Sequence, residues 1–230
     1  MAIKSFVILS CVQPSYLAWI PLFKRICSGD VFVYLDDVEY SKNSFHNRNF
    51  VKGSHGKILL TVPVKYKGFG HKYICEIQIN NESNWGQKHW RTIEMNYSKA
   101  PFFSDFGNII YEKIYDRSWK LLGDLNVTFI EIIKDYLGIN RKTYRSSELK
   151  VKGQGNQKLV SICKELGADR FLVKPNTESY HPEAFFKEHG IGLVSFEPEP
   201  KPYPQYYGDF IPNLSAVDYA MTCGPGNLDW

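Results

Sequence analysis

The chain has 230 residues, enough for one sizeable core. With 43% hydrophobic and 23% charged residues it reads as globular, and a net charge of +4 without any long block of like charge argues against a nucleic-acid binder. No apolar run reaches the ~18 residues a membrane-spanning helix needs, and five widely spaced cysteines without a CxxC pair exclude a disulfide framework or structural zinc.

Residues 3–9 form a short apolar run read as a buried strand, ending at Gln13-Pro14 because proline cannot continue a central strand. The opening residues lead directly into this run without a signal-peptide core, so no leader is expected. Apolar residues at helical spacing follow over 17–27, with Pro21 near the helix start. A second buried strand is predicted at 31–35, which makes a right-handed parallel βαβ unit. Residues 36–56 read as an irregular polar segment, 58–64 and 74–79 as strands, and 65–72 as a basic, glycine-containing loop.

From Trp85 to about Leu137 the pattern is helical, in three helices interrupted at Pro101. The clearest amphipathic stretch is 121–137, with Gly138 as its cap. A helix over 157–166 capped by Gly167, strands at 170–173 and 192–195, and a helix over 182–188 follow. The tail from 196 holds six of the 12 prolines, and its tyrosines predict packing on the domain. The expectation is one α/β domain over 1–230, with a mainly parallel Rossmann-like sheet, a helical subregion at about 85–140 and an irregular tail. The reduced thiols fit a cytoplasmic protein.

Four segments carry candidate chemistry. In the first, Gln13 can hydrogen-bond a ligand beyond the carboxyl end of the first strand, with Tyr16 and Trp19 as walls. Cys11 beside it reads as a small buried hydrophobe before it reads as a nucleophile. In the second, Asp36 and Asp37 can hold an ammonium, a hydroxyl or Mg²⁺, and His46 can transfer protons near neutral pH. There Lys42 and Arg48 can hold phosphates, while Tyr40, Asn43, Asn47 and Asn49 supply further ligand contacts. In the third, Lys88, His89 and Arg91 sit near a helix start where an anion could bind. In the tail, Tyr203 and Gln205 can close a pocket. No His/Cys/Asp/Glu spacing marks a metal site, and the GxGxxG, Walker, HExxH and GxSxG signatures are absent.

Together these segments resemble the WbqC-like family of bacterial proteins. The resemblance rests on Gln13-Pro14, Tyr16-Leu17 and Trp19, on the run from Asp30 to Tyr40, and on Lys42-Asn43-Ser44…Asn47-Arg48-Asn49. It extends through Trp85, Lys88-His89, Ala100-Pro101, Tyr203-Pro204-Gln205 and Leu214-Ser215. Val12 stands where the family pattern has His, Ser15 where it has Asn, and Ala18 where it has a second Pro. If that His is a catalytic base elsewhere, this chain works without it.

The resemblance implies a role in surface polysaccharide, especially O-antigen, biosynthesis. The implied activity is a transferase forming an amide between a small acyl or aminoacyl group, such as glycine, and a nucleotide-linked amino sugar. The strand–loop–helix opening is also similar to HIGH-motif nucleotidylyltransferases, which implies ATP and Mg²⁺ as one route of activation; the residues themselves leave the donor open. The competing class is a non-catalytic protein that binds a nucleotide sugar or a partner of the same pathway.

Overall fold

The computed structural model describes residues 6–65, 72–199 and 201–226. In chain order its elements are β1 (Ile8–Val12), α1 (Ile20–Ser28), β2 (Val31–Tyr34), β3 (Arg48–Gly53), β4 (Gly56–Thr61), β5 (Val64–Lys65), β6 (Gln78–Ile79), α2 (Trp85–Tyr97), α3 (Asn108–Ile110), α4 (Leu122–Tyr136), β7 (Lys142–Arg145), α5 (Gly155–Glu165), β8 (Arg170–Val173), α6 (Glu183–Glu188), β9 (Gly192–Ser195) and α7 (Ala216–Cys223). Two π turns, Phe103–Gly107 and Tyr111–Tyr115, flank α3.

The chain forms two compact units. Unit 1 comprises Met1–Val12, Leu22–Leu35 and Arg141–Glu199. It carries a parallel five-stranded sheet in the order β7-β2-β1-β8-β9, the Rossmann-like sheet expected. Two boundary carboxylates start its strands: Asp30 Oδ2 accepts from the Ile8 N–H at 2.8 Å and Asp169 Oδ1 from the Val7 N–H at 3.0 Å. Leu159, Ile162 and Cys163 of α5 bury one helical stripe in a cluster with Leu9, Cys11, Val33 and Phe171. Burial pushes the Cys11 thiol up to about 12, so it is a packed thiol at neutral pH.

Unit 2 comprises Gln13–Pro21, Asp36–Asn140 and Pro200–Trp230. Its core includes α4, which buries Leu122, Leu125, Phe129, Ile130 and Ile133. Gly138 ends that helix at φ +73°, a conformation glycine adopts without a Cβ penalty.

Several sequence expectations shift. The first strand runs over Ile8–Val12, three residues beyond its predicted end, because the break at Pro14 leaves Ser10–Val12 free to pair with β2. The segment 36–56, read as irregular, contains β3, which pairs with β4 in full register from Arg48–Thr61 to Gly53–Gly56. The predicted strand 74–79 is instead a 3-10 turn, Ile74–Glu76, before β6; the Glu76 carboxylate captures the Tyr73 N–H at 2.9 Å and curls the chain. The tail holds a helix, α7, started by Ser215, whose Oγ accepts from the Val217 N–H. Most of the predicted basic loop, residues 66–71, lies outside the described residues, as does Pro200. Among the described residues no helix is long and apolar enough to cross a membrane.

Candidate functional site

Helix α2 separates its residues by function. Trp85, His89, Ile93 and Tyr97, four apart, form its buried stripe. Trp90, Arg91 and Glu94, with Trp85 from the edge of that stripe and with Tyr111, Asp116 and Arg117, line a cavity of about 510 Å³. The volume falls in the range of small-molecule sites, roughly 300–1,000 Å³. Trp90 stacks on Phe103 (5.8 Å, 19° between planes) and tilts against Tyr111 at 5.0 Å, which fixes an aromatic wall. Two guanidinium groups, of Arg91 and Arg117, and two carboxylates, of Glu94 and Asp116, make up its charged lining.

Behind this cavity lies a buried hydrogen-bond chain. Tyr16 Oη is 2.9 Å from His89 Nδ1 and 3.0 Å from Tyr115 Oη, and Tyr115 also lines the cavity. Burial lowers the His89 pKa to about 4, against a main-chain hydrogen bond to Thr61 that favours the charged ring. His89 is therefore neutral at pH 7. With one ring nitrogen donating to the Thr61 main chain, Nδ1 accepts from Tyr16. Tyr16 is fully buried and packs edge-on against Trp85 and Phe129. It acts as a strut inside unit 2, where an open wall was expected. Lys88, one residue along, is exposed.

Tyr16 also ties the cavity to the second candidate segment, because its N–H donates to the His46 carbonyl at 3.1 Å. Asn126, a polar residue within the apolar stripe of α4, donates from Nδ2 to that same carbonyl at 2.8 Å and to the Pro14 carbonyl at 3.3 Å. The His46 ring is buried, with Nδ1 accepting from the Ser41 N–H (3.3 Å) and Nε2 2.8 Å from Gln13 Oε1. These contacts fix the proton on Nε2, and burial lowers the ring's pKa. Tyr40, also buried, packs its ring 5.6 Å from His46.

The other predicted residues divide into interior and surface. Asp36 is fully buried and its carbonyl accepts from the Cys75 N–H at 2.8 Å; Asp37 is half-buried. Asn47 Nδ2 donates to the Val62 carbonyl and Asn49 Nδ2 to the Leu17 carbonyl, both at 2.8 Å, so these two asparagines stitch loops together. Leu17 sits at φ +49°, and the bond from Asn49 helps hold that turn. Lys42 and Asn43 are exposed, and Arg48 donates to the Asn43 carbonyl. Trp19 is half-buried and bridges to Ser215.

Tyr203 and Gln205 belong to a separate buried cluster. Asp218 receives Tyr97 Oη (2.7 Å) and Tyr203 Oη (2.8 Å) on its two oxygens. Lys52, 2% exposed, donates from Nζ to Gln205 Oε1 at 3.2 Å and to the Asp209 carbonyl. Burial raises the Asp218 pKa, opposed by the two tyrosines and by Lys52. This cluster fastens the tail to β3 and α2.

Sequence reasoning missed Asp116, Arg117, Asn126 and Lys52. Only Asn126 carried a signal, as a polar residue at a core position of a clear helix. Lys52 lies next to a hairpin turn, where a lysine ordinarily reads as solvated.

The sequence profile of the WbqC-like protein family matches residues 13–229. The chain is also similar to the uncharacterized protein Rv1507c of Mycobacterium tuberculosis, 30% identical over 223 residues, which cover 96% of each chain. No solved structure matches it.

Proposed function

The chain belongs to the WbqC-like protein family, and from that premise we propose that it is a transferase of bacterial surface polysaccharide biosynthesis. It joins a small acyl or aminoacyl group, glycine being the favoured one, to the amino group of a nucleotide-linked sugar. The observation that carries this reading is the charge pattern of the α2 cavity: Arg91 and Arg117 suit a diphosphate, Glu94 and Asp116 suit a protonated amine, and Trp90 with Tyr111 suits a sugar or base face.

For amide formation the amine must lose a proton before it attacks. Asp36, Asp37 and His46 are the proposed acceptors. Of these, His46 is neutral at pH 7 and so in the right state, but its Nδ1 must first release the Ser41 N–H. Gln13, held by His46, is proposed to donate its amide N–H groups to the acyl oxygen or a phosphate. Among the described residues no group of three His, Cys, Asp or Glu side chains converges as a metal set, and no step is routed through Mg²⁺.

Calorimetric titration tests the substrate half of the reading. A UDP- or dTDP-linked amino sugar is expected to bind, and to bind more tightly than the same nucleotide linked to a sugar without the amine. Equal affinity for both, or none, would overturn it. The full engagement of the nitrogens of His46 and of His89 Nδ1 favours a second reading, a non-catalytic binder of the same ligand; binding without turnover would select it.

A further inference from the structure

In unit 1, Arg25 of α1 is nine-tenths buried. Its Nη2 donates to the Leu172 carbonyl, and its Nε has no hydrogen-bond partner. Among the described residues no carboxylate pairs with it. A guanidinium stays charged at physiological pH, and a buried charge is tolerated when an opposite charge meets it. Burial lowers the Arg25 pKa, and among the described residues the one group that favours its ionised form is the Cys11 thiol, which is protonated and uncharged at neutral pH.

Arg25 lies where the strand order of the sheet reverses. Numbered within the sheet by chain order, its strands run 3-2-1-4-5, so the order reverses between β1 and β8. Open α/β sheets bind ligands at that reversal, beyond the carboxyl ends of the strands. Here β1 and β8 pair only at Ile8–Arg170 and Leu9–Phe171. β1 then continues through Ser10, Cys11 and Val12, and β8 through Leu172 and Val173, with no ladder between them. Arg25 holds Leu172 in this gap, and its charge acts on Cys11 of β1 and on His181, which follows β8.

His181 in turn connects to the start of α5. Its Nδ1 is 2.8 Å from Asn156 Oδ1, whose amide nitrogen donates to the Tyr180 carbonyl at 2.7 Å. Helix α5 begins without a side-chain cap at Gly155 (φ +52°), two residues after Gly153 (φ +112°). Uncapped first-turn N–H groups add to the attraction for an anion.

We propose that unit 1 carries a binding site for the oxyanion of a small molecule, phosphate or carboxylate, seated on Arg25 where β1 and β8 part. The bound oxyanion supplies the negative charge the guanidinium lacks. It is independent of the α2 cavity, all of whose lining lies in unit 2, so either proposal can fail without the other.

The test is thermal unfolding of the full chain with inorganic phosphate, with acetate and with glycine, each against sodium chloride at equal ionic strength. Phosphate or a carboxylate is expected to raise the Tm of the wild type in a saturable manner, and the arm that does so identifies the source of the oxyanion. Arg25→Met is expected to abolish the shift and to unfold, without ligand, no lower than the wild type, since it removes an unpaired buried charge. Arg25→Lys is expected to need about tenfold more ligand, having lost the planar fork of donors. The proposal is overturned if no oxyanion shifts the wild type beyond chloride. It is equally overturned if the shift survives undiminished in Arg25→Met, or in Arg25→Lys should the methionine variant not fold.

Discussion

His46 Nε2 lies 2.8 Å from Gln13 Oε1, and because the Ser41 N–H occupies Nδ1, the imidazole is the donor. The pair therefore turns the Gln13 carbonyl inward and leaves its amide N–H groups as the outward-facing donors. In this arrangement His46 Nε2 is committed to Gln13 and Nδ1 to Ser41.

Gln13→Glu reverses this arrangement by placing a second acceptor where the donors stood. Gln13 is exposed, so the change in stability is expected to stay within about 0.5 kcal/mol. Turnover, or ligand affinity under the binding reading, is expected to fall at least tenfold. Denaturant titration and an activity or calorimetric assay on the same preparation check the two halves.

The depressed pKa of His89 makes stability depend on pH. Its folded value of about 4 lies below the ordinary 6.5, so between those values the unfolded chain binds the proton more readily. Its contribution is fully present above pH 6.5 and is lost as pH falls toward 4, by about 3 kcal/mol at full extent. Urea unfolding across pH 4 to 7 should show this slope, and His89→Asn should flatten it.

Tyr203→Phe removes one of the two hydroxyls on Asp218 while keeping the ring that packs on Phe210 and Tyr219. Leaving a buried carboxylate oxygen short of a donor is expected to cost about 1–3 kcal/mol. If the cluster only fastens the tail, a loss of nucleotide-sugar affinity should not accompany the loss of stability. Chemical denaturation beside calorimetry separates the two.

Much of the fold was legible because the hydrophobic period was unambiguous where both faces were committed. The α4 stripe ending at Gly138, and the short apolar runs that became β8 and β9, are of this kind. Strand β3 was not, although β4 was, since Asn49 and Lys52 disguise a strand whose polar side chains are satisfied inside unit 2 by the Leu17 and Asp209 carbonyls and by Gln205. Gln13 and His46 are read in the sequence as members of two separate segments, and only the fold brings them within 2.8 Å of each other. Tyr16, Asn47 and Asn49, read as ligand contacts, lie buried and hydrogen-bonded within unit 2. The acidic and basic lining at Asp116 and Arg117 depends on a helix broken by π turns, which periodicity does not encode.

The cavity residues should separate binding from folding. Arg91→Ala and Trp90→Ala change cavity-lining side chains on α2, away from its buried stripe. Arg91→Ala is expected to weaken nucleotide-sugar binding by about tenfold, the worth of one charge-assisted contact. Trp90→Ala should also weaken it, at some cost in stability from lost stacking on Phe103.

The most direct measurement is mass spectrometry of UDP- and dTDP-amino sugars incubated with the protein, glycine and ATP, with acyl- and aminoacyl-donor panels run alongside. A mass increase of one glycyl or acyl unit on the amino sugar, strongly reduced by Arg91→Ala and by Gln13→Glu, is the expected result. If every amino sugar emerges unchanged with every donor, or if the product forms equally well in both variants, the account of this site is wrong.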